Sequence, residues 1–230
     1  MDITMRPMSL DEAWQHILWQ YQSYQDELKQ FNYPYLMFIP TSLAEMFEKP
    51  NLTKQDIDKY HTIFMSVYES NTEKLHRFDD VFESYVKPML LRAIDKFLVP
   101  ILPSWNAVLP KQLNILCTFG NSAGYSRQSD DVATIHFRMT RFPGNKDNML
   151  DVFFHEFVHS LIEFPIIRKY NVPQDLKERI VDLICFEFIQ RPVQKNFENS
   201  FANAYINSDI IKNGLPSAVQ KMMVDYNKKH

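Results

Sequence analysis

His155, Glu156 and His159 stand at a spacing that has a chemical reason. Residues four apart on a helix share one face, about one turn from each other. Two imidazoles placed in this way can grip one metal ion. A Glu beside the first of them sits where it can take a proton from water activated at that ion, and zinc is the metal that suits the pattern. The chain has only 7 His, so random order would produce His-Glu-x-x-His in about one such chain in a hundred, and accident is a poor explanation.

The neighbouring residues supply the helix that such a pair needs. Across 148–162, Leu150, Phe153, Phe154, Phe157, Val158 and Leu161 recur at helical spacing, while Asp151, His155 and His159 form a separate stripe. The expectation is a helix buried on its apolar side that presents both His on its other, open side.

A catalytic zinc ion takes three protein ligands and a water. A second helix is expected over 174–190, because Pro173 suits a helix start. Glu178 and Asp182 share one of its faces, and Ile180, Val181, Leu183, Ile184 and Phe188 supply its apolar surface. The interval from His159 to Glu178 lets one helix end near Pro165, turn, and return a carboxylate to the metal. Glu163, two turns after His155, is the rival ligand, but it points along its helix rather than across to the two His. Cys185 falls two turns after Glu178 on nearly the same face; a small buried thiol is its simpler role.

His155-Glu156-x-x-His159 followed by Glu178-x-x-x-Asp182 resembles the gluzincin clan of metallopeptidases, whose best-known member is thermolysin. The resemblance covers residues 148–190 and picks out no particular family within the clan. It implies a zincin-like core with Zn2+ as cofactor and Glu178 as the third ligand. It implies that Asp182 holds the far nitrogen of a zinc-bound His, here His155; a carboxylate so placed fixes the tautomer and raises ligand basicity. It also implies that Tyr170, in the connection between the helices, hydrogen-bonds the oxyanion.

Strands are expected before the zinc helix. Residues 113–119 are short and apolar and read as an inner strand; 120–131 is polar and loop-like. Residues 132–140 alternate, with Ala133, Ile135, Phe137 and Met139 on one side and Thr134, His136 and Arg138 on the other. By the resemblance this strand is the sheet edge that lines the cleft. Ile135, His136, Phe137 and Arg138 would then pair with an extended peptide, since an unpaired edge is a template for one.

Upstream the chain reads as helical. Ser9-x-x-Glu12 is a capping box that opens a helix to about residue 30, and 35–39 is a short apolar run of strand type. Ser42-x-x-Glu45 caps a short helix ending before Pro50. Thr53 caps a long one to about residue 75, and another is expected over 80–98 despite Pro88, backing the sheet. Pro100, Pro103 and Pro110 mark a connection, which divides the chain into a helical region 1–110 and a core 111–230, or else joins them as one continuous domain.

Composition bounds the rest. With 45% apolar residues the chain can build a sizeable core, and only 4 Gly favours helices over hairpins. A net charge of −3 without basic runs gives no sign of a nucleic-acid partner. No stretch approaches the length of a membrane span, and residues 1–10 lack a signal-type apolar core, so a cytoplasmic protein is expected. Cys117 and Cys185 lie in apolar segments and read as reduced. The expectation is therefore an α+β, mainly helical zinc peptidase acting on a peptide or protein substrate, with Glu156 as base and endopeptidase action favoured. The alternative is a zincin-fold binding or regulatory protein with little turnover.

Overall fold

Parallel pairing across nearly half of the chain's length builds the sheet. In the computed structural model, which describes residues 1–25, 40–118, 124–138, 146–191 and 200–229, the N-terminal strand β1 (Asp2–Pro7) lies parallel to a strand far downstream, Asp2 facing Gln112 and Pro7 facing Cys117. The chain then enters α1 (Leu10–Ser23) through the capping box: Ser9 Oγ accepts from the Glu12 N–H at 3.3 Å, and Glu12 accepts from the Ser9 N–H at 2.8 Å. Arg6 donates twice to the same carboxylate at 2.7 Å, which ties β1 to α1. The expected continuation of α1 toward residue 30 and the strand over 35–39 fall largely outside the described residues.

This cap carries a measurable load. Arg6 and the Ser9 N–H together hold the Glu12 carboxyl down at about 2, against an ordinary value of 4.5. A depressed folded-state value means stability that is present above 4.5 and lost as the pH falls toward 2. Ser9→Ala should cost about 1 kcal/mol. Melting curves should fall between pH 4.5 and 2 more steeply for the wild type than for Glu12→Gln; parallel curves would refute the coupling.

The helices after this follow the expected caps with two differences. The short helix α2 (Ala44–Glu48) is preceded by a 3-10 turn over Thr41–Leu43 and takes no side-chain cap from Ser42. Thr53 does cap α3 (Lys54–Val81): its Oγ1 accepts from the Asp56 N–H at 3.2 Å, and Asp56 accepts from the Thr53 N–H at 3.0 Å. Rather than break, α3 passes through a wide π turn (Phe82–Val86) into α4 (Lys87–Ala93) and a second π turn (Ile94–Leu98). Pro88 falls just after the first π turn of this continuous helix, the kind of local widening by which a helix carries a residue without an N–H to donate.

The proline-rich connection is helical too, ending in α5 (Leu102–Trp105). Trp105 is fully buried, and its Nε1–H donates to the Ile211 carbonyl at 2.7 Å. The connection is thereby locked to the C-terminal helices. Next come β2 (Gln112–Thr118), β3 (Gly124–Arg127) and β4 (Val132–Arg138), in the order β1-β2-β4-β3. β2 pairs parallel with β1 and β4; β3 runs antiparallel to β4. Sheet residues from both sides of position 110 thus belong to one sheet.

In this register Ile3, Leu113, Ile115, Ala133, Ile135 and Phe137 share one buried face. Helix α6 (Lys146–Ile162) lies against it, Phe153 meeting Phe137 edge-on at 4.8 Å. Phe82 covers Phe153 from the other side at 6.1 Å, so the expected 80–98 helix backs α6 there. α6 is not open on its second side: every residue from Phe153 to Ile162 is buried. Each fully buried Phe contributes about 1.5–3 kcal/mol, which offsets the cost of burying the two imidazoles and a carboxylate among them.

After α6 the chain continues as a π segment (Glu163–Arg168), where Pro165 can donate no hydrogen bond, and turns at Asn171 with φ 52°. Helix α7 (Gln174–Ile189) then returns alongside α6, and α8 (Ser208–Asn213) and α9 (Leu215–Asn227) close the chain. The fold is α+β and mainly helical with a small four-stranded sheet. Both cysteines are free and buried. No helix of the described residues is long and apolar enough to cross a membrane.

Candidate metal centre

The reversal between α6 and α7 brings three ligand-type atoms together. His159 Nε2 lies 3.0 Å from His155 Nε2 and 3.2 Å from Glu178 Oε2, and His155 Nε2 lies 3.6 Å from that same oxygen. Zinc bonds of about 2.0–2.1 Å in tetrahedral array place neighbouring ligand atoms about 3.3 Å apart, a value the three separations bracket. A proton on one imidazole has only one good direction to donate. A cation at the centre of the triangle would be shared by all three atoms. Among the described residues, this is the one group of His, Cys, Asp and Glu side chains arranged to hold a metal ion.

The supports of this triangle come from the same two helices. Gln174 donates to Glu178 Oε1 at 2.7 Å, which leaves Oε2 for the two His. Burial pushes the Glu178 carboxyl up, but the imidazoles of His155 and His159 outweigh it and hold the group well below the usual carboxylate range. Burial drives His155 down to about 4, so at neutral pH it is the uncharged imidazole that ligation requires. Glu156 is buried as well, and burial raises its carboxyl to about 7.

The far nitrogen of His155 faces α7. Asp182 Oδ1 stands 3.8 Å from His155 Nδ1, too long for a hydrogen bond, and Cys185 Sγ is 3.9 Å away, within reach of a sulfur contact. Burial keeps the Cys185 thiol protonated, far above its ordinary range. Cys185 is thus a small buried thiol, as expected, and also a neighbour of His155.

Glu163 does not join the triangle. Its carboxylate accepts from the Tyr125 hydroxyl at 2.5 Å and from Arg168 Nε at 2.8 Å. Tyr170 is partly buried against the core, with the Lys169 ammonium 5.3 Å from its ring centroid. A second tyrosine, Tyr125, touches a ligand-type His: its ring stacks on His159 at 5.0 Å and 6°.

The expected edge strand needs correction. β4 has a neighbour on each side, and β3 pairs with residues 133–136, so Ile135 and His136 do not form a free edge; on that side the described part of β3 ends before Phe137 and Arg138. The residues read as loop supply β3, and Tyr125 pairs with Ile135 and Gly124 with His136. Ile135 and Phe137 are wholly buried in the core, and His136 packs on His16 of α1 at 5.2 Å. The edge belongs to β3. Tyr125 and β3 escaped the sequence reading because all four residues of this strand are half-buried and lack an alternating pattern. The one available signal was a Tyr flanked by Gly124 and the turn-type run Ser129, Asp130 and Asp131. The chain matches no known family model, no characterised protein and no solved structure.

Proposed function

We propose that this chain is a zinc-dependent peptidase with a zincin-like core. The single observation that carries the reading is the convergence of His155, His159 and Glu178 from two helices at tetrahedral ligand spacing. These three residues would hold the ion. When bound, zinc supplies Lewis acidity and lowers the pKa of a water toward about 7.

The chain's own residues do the rest. Glu156 follows His155 directly, is buried beside the triangle, and is not needed as a ligand. Its carboxylate takes the proton of the attacking water and passes it to the leaving amine. Gln174 orients Glu178 through the oxygen that the His pair does not use. Asp182, 3.8 Å from His155 Nδ1, would orient that imidazole from its far side. The peptide lies extended along β3, the outer strand beside the site among the described residues, and is cut within its length.

Metal analysis of the purified protein together with a peptide-library digest tests this reading. About one zinc per chain and cleavage of internal peptide bonds are expected. A protein that takes up no stoichiometric zinc refutes it. Zinc without any cleavage would favour a binding protein built on the same core. Asp182→Ala should weaken zinc affinity or peptide turnover by about 10–100-fold; wild-type values for both would remove Asp182 from the site.

A further inference from the structure

Metal-binding imidazoles generally donate their second N–H to an oxygen, and this fixes ring orientation and tautomer. Of the two His here, His155 has such neighbours in Asp182 and Cys185. His159 has none. Its Nδ1 is buried without a hydrogen-bond partner among the described residues. A buried His with one free end would ordinarily be able to rotate about its ring axis.

What holds the His159 ring is a face. The Tyr125 ring lies parallel to it, with centroids 5.0 Å apart and planes 6° from coincidence. Tilting the imidazole out of this plane would break the stack, a type of contact that contributes about 0.5–1.5 kcal/mol beyond area burial. Tyr125 is itself anchored at its far end. Its hydroxyl donates to Glu163 Oε2 at 2.5 Å and accepts from Lys177 Nζ at 3.4 Å, and Arg168 braces Glu163 at 2.8 Å. At its near end the backbone of Tyr125 is paired to Ile135 in the sheet. The ring is thus clamped between a strand and a charged network.

We infer that Tyr125 is a positioning residue that sets the ring plane of His159 by stacking, a constraint on tilt that a hydrogen bond to Nδ1 would otherwise supply. The inference rests on the metal-site reading for its zinc readout, while its structural part concerns the metal-free protein as well.

Two variants separate ring from hydroxyl. Tyr125→Leu removes the stack; Tyr125→Phe keeps it. Zinc affinity, measured by competition with a chromophoric chelator, should fall about 10–100-fold in Tyr125→Leu and stay near wild type in Tyr125→Phe. In metal-free protein with isotope-labelled His, the His159 ring protons should carry an upfield ring-current shift in the wild type and the Phe variant and lose it in the Leu variant. Wild-type zinc affinity in Tyr125→Leu, or His159 signals that do not move, overturns the inference. If the wild type takes up no zinc, the metal-site reading fails, and the metal-free spectra still decide the stacking. Should the Leu variant not fold, Tyr125→Ile removes the ring with a residue that suits a strand, and the metal-free wild-type and Tyr125→Phe spectra remain. Unchanged zinc affinity in Tyr125→Ile, or no upfield shift of His159 in the wild type, overturns the inference.

Discussion

Glu156→Gln should leave zinc in the protein and remove its hydrolysis. Gln has nearly the shape of Glu and keeps an acceptor oxygen, but it cannot take a proton from water at neutral pH. Glu156 is not one of the three converging ligands, so zinc content should remain at about one per chain. The side chain is buried in a helix that is itself wholly enclosed at this point, so an isosteric change should disturb the packing little. A melting temperature within about 2–4 °C of wild type is expected, the shift that about 1 kcal/mol produces in a chain of this size. Cleavage of a peptide that the wild type cuts should drop by about 10²–10⁴-fold, the usual contribution of general acid–base catalysis. That range corresponds to about 2.7–5.5 kcal/mol of lost barrier lowering. Equal rates in mutant and wild type would rule out Glu156 as the base.

His159→Ala should abolish tight zinc binding. His159 Nε2 lies on the two shortest sides of the ligand triangle, at 3.0 and 3.2 Å from its partners. Without it, His155 and Glu178 remain, and two ligands rarely hold zinc against competition. Glu178→Gln should weaken the site strongly as well, since it replaces an anionic ligand by a neutral one. Glu163→Gln is the contrasting case. Its carboxylate is occupied by Tyr125 and Arg168, and Gln keeps an acceptor for the Tyr125 hydroxyl, so zinc should stay stoichiometric. The measurements are zinc content after dialysis and affinity by chelator competition. Full occupancy in the His159→Ala protein would sink the site, and loss in Glu163→Gln with retention in Glu178→Gln would assign the third ligand wrongly.

The sequence by itself determined those features that depend on contacts within a few residues. Ser9 and Glu12 close a capping box because the two partners are three apart on one turn. Thr53 and Asp56 do the same for α3. The helical spacing of Phe153, Phe154, Phe157 and Val158 places His155 and His159 on one face, and the apolar run of β2 makes it an inner strand flanked by β1 and β4. Glu178 could be chosen over Glu163 from geometry alone, because a ligand on a returning helix can point across to a metal.

Only the tertiary structure decided how deep the site lies and what surrounds it. Periodicity on α6 divides its own faces, but what covers the second face is contributed by β3 and α7, so the His expected on an open side are buried. The strand β1 finds β2 across nearly half of the chain's length, a pairing that no local pattern encodes. β3 is polar and half-buried, and it becomes a strand because the backbone of β4 offers it hydrogen-bond partners; its own side chains do not require it. That one pairing turned β4 from an edge into an inner strand and brought Tyr125 onto the face of His159.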